Sequence, residues 1–352
     1  LLNGGTRVSR NELPSPGDLA REDTLPASSR ALVESSRAVV REILAGRDDR
    51  LLLLVGPCSI HDADEAAVYA ARLAELASKV AGEAFVVARG FVEKSRTSLG
   101  WRGLARDPWL DGTKGTAEGI VEARRALTGM LAAGIPVAVE LVSPFLWPYW
   151  IDCVSWAGIG ARSVESPSLR EAAALIPCPV GFKNGLDGDP AAAVNAVLAA
   201  VRPGTALTIG KDGRLVESDA PGNPSAHVVL RGGKDGPNVS LTPRVAASME
   251  AMGLLPSILI DASHDNSRKR PERQRGIALK AMALRRRGLP VRGLMIESYL
   301  KAGRQHPAPR NLLASGLSVT DACLGWDSTE KLVLELAARE RRARERLARK
   351  GA

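Results

Sequence analysis

Nine short apolar runs punctuate this chain, at 51–55, 84–91, 136–141, 158–162, 179–183, 205–210, 226–231, 256–261 and 293–297. Alanine-rich stretches long enough for a helix lie between most of them. Runs rich in Val, Ile and Leu have the pattern of parallel strands buried on both faces. Parallel neighbours need a crossover connection, so repeated strand–helix alternation predicts a parallel sheet covered by helices. A closed (β/α)8 barrel takes eight strands, one fewer than the runs available. The run at 205–210 is followed by the turn-rich segment KDGRLVESDAPGN, and is expected to be a hairpin inserted before the sixth strand, 226–231. The expected fold class is α/β, a single TIM barrel.

The flanks read differently. Residues 1–28 carry Pro, Gly, Ser and Asn without periodicity and predict an irregular arm. Residues 29–46, SRALVESSRAVVREILAG, fit an amphipathic helix ending at Gly46. A charged helix is expected over 329–350. The expected organisation is an N-terminal arm and helix over 1–46, a catalytic barrel over 47–328 and a C-terminal charged helix over 329–352. The chain's 352 residues suffice for one large barrel or two ordinary domains.

Composition narrows the function classes. No stretch approaches the length of a membrane span, and the N-terminus lacks an apolar targeting core. Four cysteines without a CxxC pair fit a reducing cytoplasm, and Cys153, Cys178 and Cys323 read as small buried hydrophobes. The net charge of +9 sits mainly in 268–275, RKRPERQR, and in the tail from Ser328. That tail alternates Glu and Arg at helical spacing, as solvated helix faces do. No aromatic residues are interleaved with basic ones for base stacking, which argues against nucleic acid as a partner.

The ends of the runs carry the chemistry. Cys58 in LLLLVGPCSIHD, His264 in ILIDASHDN and Glu297 in GLMIESYL follow apolar runs, and Asp321 stands in SVTDACLGW. One thiolate, one imidazole and two carboxylates form a mixed donor set that suits a catalytic divalent transition metal such as manganese, iron, cobalt or zinc. The four are far apart in sequence, so they meet only if strand ends converge, as they do at the C-terminal face of a barrel. A cationic set stands beside them: Arg89, Arg162, Lys183 and Arg231 at four run ends, then Lys94 and Arg96 in EKSRTSLGW. Positive charges converging on one mouth repel one another without an anion, and Arg forks match phosphate and carboxylate. The expected substrate is small, with phosphate and carboxylate groups. Glycines in FKNGLDGD and RGGKDGPN allow close backbone approach to it. His61 and Asp62 suit equally a supporting role for Cys58 or a polar loop cap.

With GPCSIHD, EKSRT, GIGARS, GFKNG, LRGGK, DASH, MIES and SVTDACLGW in order, the chain resembles the type I 3-deoxy-D-arabino-heptulosonate 7-phosphate (DAHP) synthases, in their aromatic-feedback-regulated branch. The likeness runs over about residues 30–335. It implies a (β/α)8 barrel, and condensation of phosphoenolpyruvate with erythrose 4-phosphate, the entry step of the shikimate pathway. By matching motif it implies Cys58, His264, Glu297 and Asp321 as metal ligands. It implies Arg89, Arg162, Lys183 and Arg231 as phosphoenolpyruvate ligands, Lys94 between the substrates, and Arg96 and Thr97 on the aldehyde's phosphate.

Several positions depart from the family pattern. Ser95 stands for the usual Pro, Tyr299 for His and Asp265 for Gly or Ala, and Ala302 and Arg304 interrupt a usual Glu-Gly-Asn-Gln. These departures keep open a different acceptor aldehyde. A non-catalytic regulatory paralogue is the reading of another class, and the intact ligand set counts against it. Ser143 and Pro177 replace the usual Asp and Ser of the effector pocket, which predicts weak feedback. The aromatic stretch 144–150, PFLWPYW, is expected to be core or subunit interface, with an altered effector site as the alternative. The irregular arm would suit a homodimer or homotetramer contact.

Overall fold

The chain forms ten strands: β1 (Leu51–Gly56), β2 (Ala84–Arg89), β3 (Val137–Leu141), β4 (Val154–Ile159), β5 (Val180–Lys183), β6 (Gly204–Ile209), β7 (Leu215–Ala220), β8 (His227–Leu230), β9 (Ile258–Asp261) and β10 (Val291–Glu297). Eight of them close a parallel barrel in the order β1-β10-β9-β8-β5-β4-β3-β2, while β6 and β7 pair antiparallel outside it. The fold is thus the expected TIM barrel, with the hairpin where the sequence predicts it. This computed structural model describes residues 11–96, 99–113 and 115–351. Nine helices are described: α1 (Pro16–Glu22), α2 (Ala27–Ala45), α3 (Ala63–Lys79), α4 (Thr116–Ala132), α5 (Pro167–Leu175), α6 (Ala191–Ala200), α7 (Thr242–Ala251), α8 (Gln274–Arg286) and α9 (Trp326–Gly351). None of the described helices is long and apolar enough to cross a membrane.

Two apolar layers follow from the period-2 alternation of the strands. In β1, Leu52 and Leu54 point inward with Val87, Ala138, Trp156, Val229, Leu259 and Met295. Leu51, Leu53 and Val55 point outward to the helices. Trp156 is the largest inward side chain, and glycine makes room for it. A Cβ on Gly181 would stand 2.5 Å from the indole, and one on Gly158 2.8 Å. The indole N–H donates to His227 Nε2 at 3.1 Å, while His227 Nδ1 lies 2.9 Å from the Ser225 carbonyl. Burial pushes the imidazole pKa down to about 4, so it stays neutral inside the barrel.

The base of the barrel is closed by α2. Val40, Ile43 and Leu44 from its apolar face join the interior cluster. Arg37 ties it to the start of β4 by donating to the Ile151 and Val154 carbonyls. Gly46 ends the helix in the left-handed conformation, φ 75°, which glycine adopts without strain.

Three expectations need correction. Strand β4 begins at Val154, four residues before the expected 158, because the buried Trp156 and Ser155 belong to it; Arg162 therefore lies in a turn beyond the strand. The N-terminal arm is not wholly irregular. Ser15 caps α1 by accepting from Asp18 N at 3.1 Å, and Pro16 opens the helix with its φ already set. The terminal helix starts at Trp326 rather than 329. In the 144–150 stretch, Leu146, Trp147, Tyr149 and Trp150 are buried in the core, and Tyr149 Oη donates to the Pro14 carbonyl.

Arg124 on α4 locks the arm to the barrel. It is buried, holds Asp152 through two nitrogens at 2.8 Å, and donates to the carbonyls of Asp23 and Tyr149. Arg124→Leu is expected to cost about 3 kcal/mol, since it strands both carbonyls. Urea unfolding would measure the loss, and limited proteolysis should show faster cleavage near residue 23.

Candidate active site

The C-terminal ends of the strands converge on one mouth. Cys58 lies two residues beyond β1, Arg89 ends β2, Glu140 is the penultimate residue of β3, Lys183 ends β5, Asp261 ends β9 and Glu297 ends β10. Arg231 follows β8 directly, and His264 stands three residues past β9 with φ 50°. Gly56 lets the first of these turns pass β2, since a Cβ there would sit 2.9 Å from Arg89 N.

Of the four expected metal ligands, the structure gathers three tightly. Ligand atoms of Cys58, Glu297 and Asp321 all lie within 4.8 Å of one another. His264 is outside that trio, although its Nε2 faces Glu297 Oε1 at 3.5 Å. Its other nitrogen turns away, 2.8 Å from both Asp261 Oδ2 and Ser263 Oγ. With Nδ1 anchored, Nε2 is the nitrogen that faces the trio. Lys94 fills the cation's part in the trio by donating to Cys58 Sγ at 3.0 Å. A buried thiol, two carboxylates and an imidazole edge fit a divalent transition metal, and an ammonium drawn to the same atoms points the same way.

The cations are tied down by carboxylates. Arg89 is fully buried, reaches Glu297 Oε1 at 3.1 Å and stacks over Phe91 at 4.1 Å. Its Nη1 has no hydrogen-bond partner among the described residues, a donor left available to an anion. Lys183 pairs with Asp261 at 3.1 Å and Arg231 with Asp265 at 2.6 Å. Arg96 donates to the Trp101 carbonyl at 2.8 Å and, with Arg162, lines a cavity of about 530 Å³. Thr97 lies outside the described residues.

Glu140, Asp261, Asn184 and Gln274 were missed from sequence. Glu140 and Asp261 are the charged residues of the runs VAVEL and ILID, a signal that was present and unused. The amides give no such sign. Gln274 grips the backbone of Glu297 from both sides, at 2.8 and 2.9 Å. Asn184 accepts from Arg231 N and Asn238 Nδ2, so it joins the loops after β5 and β8. Asp62 proves to be the cap of α3, accepting from Asp64 N and Glu65 N at 2.9 Å. His61 turns instead to Glu65 at 3.6 Å. Tyr299 also points away from the mouth and donates to Glu65 Oε2 at 2.7 Å.

The sequence matches the model of the DAHP synthetase I family over residues 25–334. The chain belongs to the DAHP synthetase I family. A Tyr-sensitive phospho-2-dehydro-3-deoxyheptonate aldolase of Salmonella typhimurium is 40% identical over 339 residues, 95% of each chain. A phospho-2-dehydro-3-deoxyheptonate aldolase of Corynebacterium glutamicum is 41% identical, with 96% of this chain and 94% of that one covered. The solved structure of the Francisella tularensis aldolase of the same name superimposes with a TM-score of 0.92 at 33% identity, covering 96% of this chain and 99% of that one. Relatives named Tyr-sensitive and Trp-sensitive put the chain in the aromatic-regulated branch of type I. As a family member it is an enzyme.

Charge coupling dominates the mouth of this DAHP synthetase I fold. Burial opposes the charge on Lys94, but Cys58, Glu140, Glu297 and Asp321 overcome it and raise its pKa above the ordinary lysine value. Burial, then the charge of Glu297, pushes the Cys58 thiol up to about 11, with Lys94 acting in the opposite sense. Against burial, Lys183 and Lys94 hold Glu140 below the usual carboxylate range.

Glu93 behaves oppositely. Burial pushes its pKa up to about 8, against hydrogen bonds from the backbone of Ser143 and Val142. The folded state then keeps a proton that the unfolded chain releases above the ordinary value of 4.5, so stability falls as pH rises from there through about 8. Glu93→Gln should flatten this dependence, by roughly 3 kcal/mol at most between pH 5 and 8. Urea midpoints measured across that range test it, and parallel curves for the two proteins would refute it.

Proposed function

We propose that the chain is a 3-deoxy-7-phosphoheptulonate synthase, a carbon–carbon bond-forming transferase. In this reading it condenses phosphoenolpyruvate with erythrose 4-phosphate and water to give DAHP and inorganic phosphate, the first step of the shikimate pathway. The observation that carries the reading is the meeting of basic strand ends with the Cys58–Glu297–Asp321 trio at one mouth. We assign catalysis to the barrel over 47–328, and expect a cytoplasmic homodimer or homotetramer.

Arg89, Arg162, Lys183 and Arg231 would take the phosphate and carboxylate of phosphoenolpyruvate. Arg231 would exchange Asp265 for the ligand, and Arg89 would add the unpaired Nη1. Arg96 and Thr97 would hold the phosphate of the aldehyde. A divalent metal held by Cys58, His264, Glu297 and Asp321 would supply Lewis acidity at the aldehyde oxygen. The enol carbon bonds to the aldehyde carbon, whose carbonyl pair moves to oxygen. Water adds at the carbon bearing the phosphate, and that C–O bond then breaks with its electron pair leaving on inorganic phosphate. Lys94, fixed against Cys58, is the proton donor we assign at this centre. The cationic wall positions the substrate and neutralises the departing phosphate.

A second reading keeps the donor and changes the acceptor aldehyde. It draws on Ser95, which replaces the fixed φ of a proline beside Arg96, and on the turn at Ala302 and Arg304, which is bridged to Ser318 and Cys323 around Asp321.

Metal-loaded protein incubated with phosphoenolpyruvate should release phosphate with erythrose 4-phosphate, and the product mass should be that of DAHP. Release only with another aldehyde would select the second reading, and none with any aldehyde would select a non-catalytic paralogue. Cys58→Ala should lower turnover at least about 100-fold and weaken metal binding in equilibrium dialysis. Ser143 and Pro177 predict weak feedback, so micromolar Phe or Tyr should leave the rate nearly unchanged.

A further inference from the structure

The opposite end of the barrel holds a second concentration of positive charge. A cavity of about 660 Å³ opens there between the segment entering β1, the turn from α8 to β10, and the last turns of α9. Seven arginines line it against two acidic residues, Asp49 and Glu340. Arg292 at the start of β10 and Glu297 at its end are roughly 17 Å apart along the strand, which separates the cavity from the catalytic mouth.

Some charges elsewhere on α9 pair with neighbouring elements: Glu335 with Arg275 of α8 at 2.8 Å, and Arg341 with Glu83 at 2.7 Å. The cavity is only partly neutralised, with Arg339 of its lining paired to Glu335 at 2.9 Å. Arg285 donates to the carbonyls of Val291 and Asp49, and its Nε stays 3.4 Å from Glu340. The Arg292 side chain is half-buried, and its buried Nε has no hydrogen-bond partner among the described residues. It is also closely packed. A Cβ on Gly46 would meet three atoms of its guanidinium at 2.6 to 2.9 Å. Arg344 donates through Nη1 to the Gly82 carbonyl at 2.8 Å, while its buried Nε and Nη2 have no partner among the described residues. Burial and then the like charge of Arg285 hold Arg292 below the ordinary arginine value, with Asp49 opposing weakly. A desolvated guanidinium among like charges is destabilising unless a counter-ion joins it.

We propose that this cavity binds a small polyanion carrying two or more phosphate or carboxylate groups. Its volume falls within the roughly 300–1,000 Å³ of small-molecule sites, and its donors are guanidinium forks suited to those groups. The site is independent of the reaction at the mouth, and nothing in the condensation uses it.

Calorimetric titration of the full chain with inorganic pyrophosphate, at fixed ionic strength, tests this. Saturable binding is expected, weakened at least about tenfold in Arg292→Gln and retained in the mouth variant Arg231→Gln. Arg292→Gln should also melt higher than wild type without anion and gain nothing from pyrophosphate, the reverse of a merely structural arginine. Should that variant fold poorly, Arg286→Gln with Arg342→Gln changes two exposed lining residues and should show the same weakening. Citrate in place of pyrophosphate separates carboxylate from phosphate recognition, and binding of either sustains the site. No saturable heat with either anion, or binding that survives in both cavity variants and disappears in Arg231→Gln, would overturn the proposal.

Discussion

Charge buried at the C-terminal end of the barrel has to be compensated on the spot, and most of the site's architecture answers that need. Lys94 sits among Cys58, Glu140, Glu297 and Asp321, Arg89 reaches Glu297, Lys183 reaches Asp261 and Arg231 reaches Asp265. In a low-dielectric mouth each pair is strongly coupled, and removing one partner leaves the other desolvated and alone. Uncharged groups then hold the charged ones in register. Gln274 clamps the backbone of Glu297, while Asn184, Asn238 and Asn266 join the loops after β5, β8 and β9. These amides bond mainly to backbone, which holds the loops in register around the ionic pairs.

The two ends of the barrel solve different problems. Below the mouth, the interior is apolar, filled by Trp156 and sealed by α2. His227 is tolerated there because it is neutral and both its nitrogens have partners. At the base, beyond the α2 seal, arginines from α8, β10 and α9 gather without enough acids to balance them. One end of the protein thus carries opposite charges in pairs, and the other carries an excess of positive charge over its two acids.

Much of the site was legible from the sequence because strand ends announce themselves. A charged or ligating residue directly after a run of Val, Ile and Leu belongs at the rim of a parallel barrel, which located Cys58, Arg89, Lys183, Arg231, His264 and Glu297. The same rule misleads at 158–162, where it makes Arg162 a strand end although the strand finishes at Ile159. Ser155 interrupts the apolar pattern where that strand opens, yet it is fully buried within β4. The rule was also applied too narrowly. Glu140 and Asp261 satisfied it, yet they are partners of the cations rather than members of either expected set. Residues such as Gln274 and Asn184 act through backbone groups distant in sequence, and no local pattern marks them.

Sequence alone determined the parallel barrel, the placing of the hairpin outside it and the identity of the charged rim, because side-chain periodicity and strand length are local properties. Tertiary structure decided how that rim is wired. It brought Cys58, Glu297 and Asp321 together, left His264 facing Glu297 from outside the trio, and turned Tyr299 toward Glu65 instead of the mouth. It also assembled the arginine cavity from segments hundreds of residues apart, whose charges in the chain look like an ordinary solvated helix. Those outcomes depend on which distant side chain supplies the opposite charge or the hydrogen-bond partner, and only the closed barrel fixes the distances at which such interactions act.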